Sequence, residues 1–260
     1  MTFVELFLNE PWRAGQPALG VWGSIGDPFL LEALAASGAD YVCVDMQHGT
    51  AHEGSLVGAI QAVTVGGSVP IVRVPEANPA QIFKALDAGA RGVVVPLIES
   101  RTEAERVVEA CRFPPAGQRS FGPFRASISA ATSDPRELEK VAAIVMIETR
   151  AGIDNLEDIV STDGLTAVYV GPSDLSLALG LAPGSFDAPG FVAVLEQIRS
   201  ACEKYGKVAG LHCWDGTMAA RYIEQGFGMV TVAVDMRLLR SALAVEFERA
   251  RAAVPPPRRS

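Results

Sequence analysis

Two carboxylates, Glu148 and Asp174, follow apolar runs that have the character of buried strands. The runs cover residues 144–147 and 167–170, and neither alternates apolar with polar residues, which is typical of strands covered on both faces. Helical spacing of apolar residues between them indicates a strand, a helix and a parallel strand. Because parallel strands end at the same edge, the two acids form a candidate oxygen-ligand pair for a hard divalent cation.

The same two residues also have purely structural explanations. Glu148 could cap the following helix or pair with Arg150, and Asp174 could be the N-cap of a helix over 173–179. The residues alone leave these explanations open.

Arg73 lies in VPIVRVP, an otherwise apolar strand, where a guanidinium needs an acidic or anionic partner. A buried structural salt bridge and an oxyanion-binding role both satisfy that need, and a neighbouring metal site favours the second. His48, in VDMQHG, directly follows a strand and is either a functional imidazole or an ordinary loop residue.

His52 lies four residues after His48, the spacing of a metal-binding pair on a helix. Gly49 and Thr50 disfavour a regular helix at that point. Carboxylate ligands and a Mg²⁺- or Mn²⁺-like ion are therefore preferred to a histidine-rich zinc site.

Strands and helices alternate along the whole chain. Strands are predicted at 18–22, 41–44, 70–74, 92–95, 144–147, 167–170, 208–211 and 229–234, and helices at 28–36, 53–65, 79–88, 101–112, 153–160, 190–205, 217–225 and 236–252. Eight such units predict an α/β fold, a single (β/α)8 TIM barrel over residues 1–253, with an extra N-terminal helix at 3–14 and a flexible tail at 254–260. The alternative, an open doubly wound sheet, lacks its glycine-rich loop after the first strand, since GSIGDP does not match that motif.

A long irregular connection is predicted at 113–135, with Arg119 and Arg125 in its middle. Such a loop in a compact domain is usually functional or part of an interface.

The catalytic groups of a barrel enzyme come from the carboxyl ends of its strands. The residues predicted there are Trp22, Ser24, Asp45, Gln47, His48, Arg73, Pro96, Glu99, Glu148, Gly171, Pro172, Ser173, Asp174, His212, Trp214 and Asp235. The four lysines, Lys84, Lys140, Lys204 and Lys207, fall on helices or before strands, which excludes a Schiff-base lysine at that face. The loops after the last two strands lack the glycine-rich turns that bind phosphate.

Composition narrows the partners to small molecules. The 260 residues carry a formal net charge of -8, which argues against nucleic acid, and four scattered cysteines suggest neither disulfides nor a zinc ribbon. Without a signal-peptide pattern or a membrane-length apolar run, we expect a cytoplasmic protein that does not contact membranes.

Several segments together resemble the metal-dependent class II pyruvate aldolases of the HpcH/HpaI family. They are VDMQHG, VRVP, ALDAGARGVVVPLIES, IVMIETRAG and VGPSDLSLALG, and the similarity runs over nearly the whole chain. It implies that Glu148 and Asp174 hold Mg²⁺, Mn²⁺ or Co²⁺, which chelates a 2-oxo acid, and that backbone N–H groups of Ser173 and Asp174 bind the carboxylate.

The resemblance also implies roles for other side chains. His48 matches the base, Asp87 the acid that raises its basicity, and Arg73 the residue that stabilises charge developing on oxygen. Asp45 is a further catalytic candidate. Substrate-binding candidates also include Gly171, Pro172, Gln47, Met146, Trp22 and His212. The resemblance implies a homo-oligomer, a trimer or hexamer, with the last helix exchanged between subunits. Because Asp87 is predicted on the helix after the third strand, it would reach His48 from a neighbouring subunit.

Two departures from the family pattern concern the acceptor aldehyde. Gln47 replaces a glutamate before the histidine, and Met146 replaces a substrate-contacting glutamine before Glu148. The expected reaction is reversible cleavage of a 4-hydroxy-2-oxo acid to pyruvate, or a close 2-oxo acid, and an aldehyde. The alternatives are a lyase of the citrate-lyase or malyl-CoA-lyase type and a non-catalytic barrel that binds 2-oxo acids.

Overall fold

Eight parallel strands close into a barrel, in which each strand pairs with its sequence neighbours and the eighth pairs with the first. The computed structural model describes residues 16–253. Strands β1 to β8 are Ala18–Gly23, Tyr41–Asp45, Val69–Arg73, Gly92–Val95, Ala142–Met146, Ala167–Val170, Val208–His212 and Met229–Val234. The predicted (β/α)8 barrel is confirmed. The N-terminal helix predicted at 3–14 and the tail at 254–260 lie outside the described residues.

Helices cover the outside of the barrel. Helices α1 to α12 are Pro28–Ala35, Glu53–Val65, Pro79–Asp87, Arg101–Cys111, Phe124–Ala130, Pro135–Leu138, Arg150–Asp154, Leu156–Val160, Pro172–Ala178, Pro189–Lys204, Gly216–Glu224 and Asp235–Ala252. Half of these twelve helices begin where a short polar side chain accepts a hydrogen bond from the first turn, as Asp27, Asn78 and Asp215 do for α1, α3 and α11. These local signals explain why most predicted boundaries agree to within one residue.

The helix predicted at 153–160 is wrong in its extent. The structure has two short helices, α7 and α8, which meet at Asn155. Thr149 caps α7 by accepting from the N–H of Gly152, so this helix starts three residues earlier than predicted. The Asn155 side chain donates to the carbonyl oxygen of Glu99, and its backbone departs from helical geometry. A tertiary hydrogen bond therefore interrupts the helix.

The connection at 113–135 is not wholly irregular, because it contains α5 and leads into α6. Its two arginines dock it onto the end of α3. Arg119 binds Asp87 at 2.8 Å, and Arg125 donates to the carbonyl oxygen of Ala88 at 2.9 Å. The predicted loop is thus a partly helical segment held by partly buried polar contacts.

Strand alternation decides which residues point into the barrel. Tyr41 and Cys43 of β2 belong to the interior cluster, whereas Val42 and Val44 pack against the helices. Asp45 continues the inward series and is buried at the end of its strand. The inward residues at the carboxyl ends of β1, β2, β3, β5 and β7 are Trp22, Asp45, Arg73, Met146 and His212. This end of the barrel is called the mouth below.

Below the mouth, polar groups fill the centre of the barrel. The hydroxyl groups of Tyr41 and Tyr169 both lie within hydrogen-bonding distance of Thr231 Oγ1, at 3.5 and 2.5 Å. The Tyr41 ring occupies space next to Gly20, where a Cβ atom would lie 2.0 Å from a ring carbon. A larger residue at position 20 would displace the tyrosine and disturb the floor of the mouth.

Helix α12 packs little of its surface against its own barrel. Among its residues only Asp235 is buried, while Met236, Leu238, Leu239, Leu243 and Phe247 are exposed. None of the helices in the described range has the length and apolar character needed to cross a membrane.

The imidazole of His212, the last residue of β7, lies against Trp22 with 4.8 Å between ring centroids. Burial, together with the positive charges of Arg73 and Arg237, lowers the pKa of His212 from 6.5 to about 4, although the Asp45 carboxylate opposes the shift. The fold therefore favours the neutral imidazole.

This burial predicts a pH-dependent stability. Below pH 6.5 the unfolded chain binds a proton at His212 that the folded chain takes up only near pH 4, so the free energy of unfolding should fall as the pH drops through this range. We expect the free energy of unfolding to fall by on the order of 1–3 kcal/mol, because solvent that reaches part of the side chain weakens the effect of burial. His212→Gln should remove this component. Urea unfolding of both proteins at several pH values measures it, and parallel pH dependences would contradict the prediction.

Candidate active site

Asp45 is the centre of the hydrogen-bond network at the mouth. Its carboxylate accepts two bonds from Arg73, at 2.9 Å from Nε and 2.6 Å from Nη2. It also accepts from Trp22 Nε1 at 3.2 Å and from the backbone N–H groups of Gln47 and His48 at 3.0 and 3.3 Å. One buried carboxylate therefore fixes the guanidinium, the indole and the start of the loop after β2.

The ion pair shifts the pKa values of both Asp45 and Arg73. Burial alone would raise the pKa of Asp45, but the hydrogen bonds and the charge of Arg73 outweigh it, and the pKa lies below its usual value. Burial likewise opposes the charge on Arg73, but hydrogen bonds and charge from Asp45 raise its pKa. Both groups are ionised at neutral pH. Within residues 16–253, Nη1 of Arg73 makes no hydrogen bond, which leaves a donor for a substrate oxygen.

An aromatic wall stands beside this pair. Trp22 stacks on Tyr169, with 5.6 Å between ring centroids, and meets His212 edge-on. The guanidinium carbon of Arg73 lies 4.9 Å from the centroid of the Trp22 ring. The wall holds the guanidinium in one orientation and narrows the mouth on the side of β1 and β7.

Glu148 lies two residues beyond β5 and is buried to 3% exposure. Its Oε1 accepts a hydrogen bond from the backbone N–H of Leu97 at 3.0 Å, whereas Oε2 is buried without a partner in the described structure. Leu97 has a left-handed backbone with φ 57°, which is uncommon for residues other than glycine. This turn points its N–H towards Glu148.

The unpartnered oxygen of Glu148 lies against Gly171, where a Cβ atom would come within 2.1 Å of it. Only glycine fits there without displacing the carboxylate. Burial, with the negative charge of Asp174, raises the pKa of Glu148 to about 7, against the opposing N–H of Leu97 and the charge of Arg73. The two predicted ligands therefore interact electrostatically across the neighbouring strands β5 and β6.

The structural explanations for these acids do not match the contacts. Thr149, not Glu148, caps α7, and Arg150 donates to the carbonyl oxygen of Ala178. The N-cap of α9 is Gly171, so Asp174 lies in the first turn with an exposed side chain. Within residues 16–253, both carboxylates therefore have oxygens available for a ligand.

A divalent cation fits this donor set. A buried, unpaired carboxylate oxygen is costly without a positive partner, and carboxylates are the ligands that Mg²⁺ and Mn²⁺ favour. No group of three or more His, Cys, Asp or Glu residues suited to a metal occurs among residues 16–253, so water or substrate oxygens would complete the coordination of an ion held by Glu148 and Asp174. A zinc pair gains no support, because His52 Nδ1 accepts the N–H of Gly54 as the cap of α2.

The loop after β2 presents its side chains differently. His48 is exposed, and its backbone N–H binds Asp45. Gln47 is partly buried, and its Oε1 has no hydrogen-bond partner in the part of the chain that the structure describes. The histidine side chain is therefore accessible at the mouth, while the backbone of its loop is fixed.

Asp87 is not brought to His48 within one chain. It is the last residue of α3 and binds Arg119, whose side chain is fully buried and also donates to the carbonyl oxygen of Leu138. The guanidinium carbon of Arg119 lies 4.6 Å from the ring centroid of Phe113. A pairing between Asp87 and His48 remains a prediction that needs a second subunit.

Four further candidate residues have structural contacts. Asp235 accepts from the N–H groups of Ile25 and Met236, which ties the end of β8 to the loop after β1. Glu99 contributes its carbonyl oxygen to Asn155, and the carbonyl oxygen of Ser24 accepts from Thr50. Met146 lies beside Gly171, where a Cβ atom would approach its methyl carbon to 2.9 Å.

The lysine prediction agrees with the structure. Lys84 and Lys204 lie on α3 and α10 and pair with Glu53 and Glu157. Lys140 precedes β5, and Lys207 precedes β7 and donates to the carbonyl oxygen of Leu165. All lie away from the strand ends that form the mouth.

Two contributors were missed by sequence reasoning. Leu97 acts through its backbone, so the type of its side chain gave no signal. Arg237 lies in the first turn of α12, with its guanidinium carbon 4.2 Å from the ring centroid of Trp214. An arginine shortly after the last strand was the available signal.

The model of the HpcH/HpaI aldolase/citrate lyase family matches residues 18–242. A hydroxypyruvate/pyruvate aldolase of Rhizorhabdus wittichii is 36% identical over 243 residues, which are 93% of this chain and 97% of that protein. A 4-hydroxy-2-oxo-heptane-1,7-dioate aldolase of Escherichia coli is 34% identical over 251 residues, 94% of this chain and 95% of that protein.

A solved structure shows the same architecture. A HpcH/HpaI aldolase/citrate lyase family protein from Burkholderia cenocepacia superposes with a TM-score of 0.87 and 30% identity, over 96% of this chain and all of that chain. Sequence, fold and the arrangement of the mouth therefore agree: the chain belongs to the HpcH/HpaI aldolase/citrate lyase family.

Proposed function

We propose that the protein is a divalent-metal-dependent aldolase that reversibly cleaves a 4-hydroxy-2-oxo acid to pyruvate, or a close 2-oxo acid, and an aldehyde. The observation that carries this proposal is the buried Glu148 oxygen without a partner, beside Gly171 and within electrostatic reach of Asp174. Two family relatives named as aldolases of 2-oxo acids support the reaction type.

The metal site is proposed at Glu148 and Asp174, with Mg²⁺, Mn²⁺ or Co²⁺ as the ion. A bound divalent cation would supply the positive charge that favours the enolate of the 2-oxo acid. The N–H groups of Ser173 and Asp174 lie in the first turn of α9, where helix geometry offers them no intrahelical acceptor, so they suit the substrate carboxylate.

Arg73 is proposed to stabilise the negative charge that develops on the keto oxygen. Asp45 accepts hydrogen bonds from Nε and Nη2, and the Trp22 ring restricts the orientation of the guanidinium plane. Nη1 remains available to donate to the keto oxygen. A donor fixed before the reaction stabilises the transition state without the cost of reorienting it.

His48 is proposed as the base. It takes the proton of the C4 hydroxyl as the C3–C4 bond breaks, the electron pair of that bond passes to the enolate, and a proton returned to C3 gives pyruvate. Its exposed side chain at the mouth supports this role. Asp87 is proposed to act on His48 from a neighbouring subunit, held in place by Arg119.

A homo-oligomer is the proposed form of the enzyme. Two apolar surfaces are exposed: one on α12, and one around α5 formed by Phe121, Phe124 and Ile128. Monomeric proteins rarely leave such surfaces uncovered. Exchange of α12 between subunits remains a proposal, and it is supported by the small part of α12 that its own barrel buries.

The alternative reaction on a coenzyme A thioester has less support. It would require basic residues for a nucleotide phosphate, and the arginines of the 113–135 connection are engaged with Asp87 and the carbonyl oxygen of Ala88. A pyruvate-release assay over a panel of 4-hydroxy-2-oxo acids tests the proposed reaction directly. Binding of 2-oxo acids without turnover of any of them would favour the non-catalytic alternative.

Metal dependence should be complete, because no lysine at the mouth can replace the cation as an electron sink. Chelator should abolish activity, and Mg²⁺, Mn²⁺ or Co²⁺ should restore it. Calorimetry should show Mn²⁺ binding to the wild type and its loss in Glu148→Gln. The matched control Glu99→Gln, an exposed carboxylate at the same mouth, should bind Mn²⁺ normally. Inactivation by borohydride with pyruvate would refute the metal mechanism.

Arg73→Lys should reduce kcat by about a hundredfold to a thousandfold, because a point charge on a flexible stem replaces a fixed planar fork. Mn²⁺ affinity and the unfolding transition are measured alongside, since Asp45 loses a two-bond partner. Arg101→Lys at the surface is the matched control. Near-normal turnover with an altered unfolding transition would assign Arg73 a structural role only.

His48→Ala should remove most of the rate and the acidic limb of the pH profile of kcat/KM, because the base is lost. Asp87→Asn should move that limb to lower pH, since an amide no longer favours the charged imidazole. Asp134→Asn, which breaks a surface pair with Arg136, should leave the profile unchanged. Light scattering checks that each variant keeps the oligomer mass of the wild type. An acidic limb that stays at its wild-type pH in Asp87→Asn would exclude the pairing.

A further inference from the structure

The interior of the barrel holds three hydroxyl groups directly below the mouth. Tyr41, Tyr169 and Thr231 are fully buried, and Thr231 Oγ1 lies 2.5 Å from the hydroxyl of Tyr169 and 3.5 Å from that of Tyr41. Burial raises the pKa of both tyrosines, so both hydroxyls keep their protons at neutral pH. These three residues are called the hydroxyl triad below. The proposed reaction uses none of them directly.

The triad gives the barrel interior a single arrangement. Buried hydroxyl groups cost free energy of folding unless they are hydrogen-bonded, and apolar side chains of the same shape would be about as stable. Each tyrosine ring must keep the orientation that brings its hydroxyl to Thr231. Glycines supply the space for this orientation: a Cβ atom at Gly20 would lie 2.0 Å from a carbon of Tyr41, and one at Gly210 would lie 2.5 Å from a carbon of Tyr169.

An aromatic stack links the triad to the mouth. The ring of Tyr169 stacks on that of Trp22, with 5.6 Å between centroids and 24° between planes. Trp22 Nε1 donates to Asp45 Oδ2 at 3.2 Å, and the same oxygen accepts from Arg73 Nη2 at 2.6 Å. A tilt of the Tyr169 ring would therefore move the indole N–H and the carboxylate oxygen on which the guanidinium depends.

A bulge in the wall of the barrel provides a second link. Strands β1 and β8 pair in register up to Gly20 and Thr231, after which the partner of Val21 is Ala233. β8 therefore has one extra residue immediately after Thr231, opposite the step of β1 that leads to Trp22. Bulges bend a strand and redirect nearby side chains, and they are frequent at barrel rims and beside active sites. The triad thus anchors β8 at the point where the direction of Trp22 is set.

We propose that Thr231 and Tyr169 are positioning residues, which together with Tyr41 fix the ring of Trp22 and, through Asp45, the orientation of the guanidinium at the mouth. This rests on the proposed function, in which that guanidinium stabilises the charge developing on the keto oxygen. A tilted donor still attracts the bound substrate, but it is misplaced for the charge that appears in the transition state. The triad therefore contributes to kcat and not to metal affinity.

Thr231→Val tests this role, because valine has the shape of threonine but leaves the two tyrosine hydroxyls without their shared partner. With Mn²⁺ and the best substrate of the pyruvate-release panel, kcat should fall by about threefold to thirtyfold, the factor that one hydrogen bond lost inside a protein is worth. Tyr169→Phe should lower kcat by a similar factor. Mn²⁺ affinity, measured by calorimetry, should equal that of the wild type in both variants. An unchanged kcat in Thr231→Val overturns the proposal.

Thr231→Ser is the rescue variant, because serine keeps the hydroxyl, and it should recover most of the rate. Combination with Arg73→Lys separates positioning from a general loss of packing, since changes that act through the same group are not additive. In the Arg73→Lys protein, Thr231→Val should change kcat by less than about twofold. Losses that multiply in the double variant overturn the proposal.

Tyr222→Phe is the matched control. Tyr222 is a buried tyrosine of α11 whose ring lies 5.5 Å from that of Phe227, and its hydroxyl has no hydrogen-bond partner among residues 16–253. The control deletes the same atom as Tyr169→Phe but outside the triad, so kcat should equal that of the wild type. A loss of rate as large as that of Tyr169→Phe would show that deletion of any buried hydroxyl lowers activity, and would overturn the proposal.

Absence of turnover with every 4-hydroxy-2-oxo acid and metal would instead sink the proposed function, and the position of Trp22 is then measured separately. Fluorine NMR of protein labelled with 5-fluorotryptophan resolves the tryptophans, and Trp22→Phe assigns the signal of that residue. Thr231→Val should shift or broaden the Trp22 signal, whereas Thr231→Ser and Tyr222→Phe should leave it in place. An identical Trp22 signal in Thr231→Val and the wild type overturns the positioning role.

Discussion

The mouth of the barrel depends on one carboxylate that is buried and still charged. Asp45 accepts hydrogen bonds from Arg73, Trp22 and two backbone N–H groups of the following loop. Removing it would leave the Arg73 guanidinium buried without a partner, a change that typically costs about 3–5 kcal/mol. The aromatic wall, the guanidinium of Arg73 that we propose as the oxyanion donor, and the loop that carries His48 all take their positions from this interaction.

Two buried acids at the same mouth experience opposite surroundings. Asp45 has a guanidinium within hydrogen-bonding distance, and its pKa is lowered. Among the described residues Glu148 accepts one hydrogen bond, from the N–H of Leu97, and burial together with the charge of Asp174 raises its pKa to about 7. The contrast separates a carboxylate that builds the site from one whose free oxygen suits a cation.

The sequence predicted those features that depend on local periodicity and on caps. Alternation along β2 and β3 is enough to point Asp45 and Arg73 inward, and side chains such as Asp27 and Asn78 mark where helices begin. Features that depend on contacts between residues far apart in the sequence could not be predicted from it. Asn155 breaks a helix because Glu99, far away in sequence, offers a carbonyl oxygen.

The same limit applies to the site. The partner of Asp87 could not be predicted, because Arg119 lies in a connection whose path is set only when α5 forms against α3. The contribution of Leu97 was equally hidden, since a backbone N–H is present at every residue except proline and only the folded turn gives it a direction.

Leu97 also bears on how such a site can change over evolutionary time. Its N–H supports Glu148, while its side chain is 51% exposed at the mouth. Backbone support does not depend on which side chain the residue carries, provided that the left-handed turn is tolerated. Position 97 can therefore drift in size and polarity without disturbing the carboxylate beneath it, which makes it a natural starting point for a mutagenesis library that reshapes the entrance.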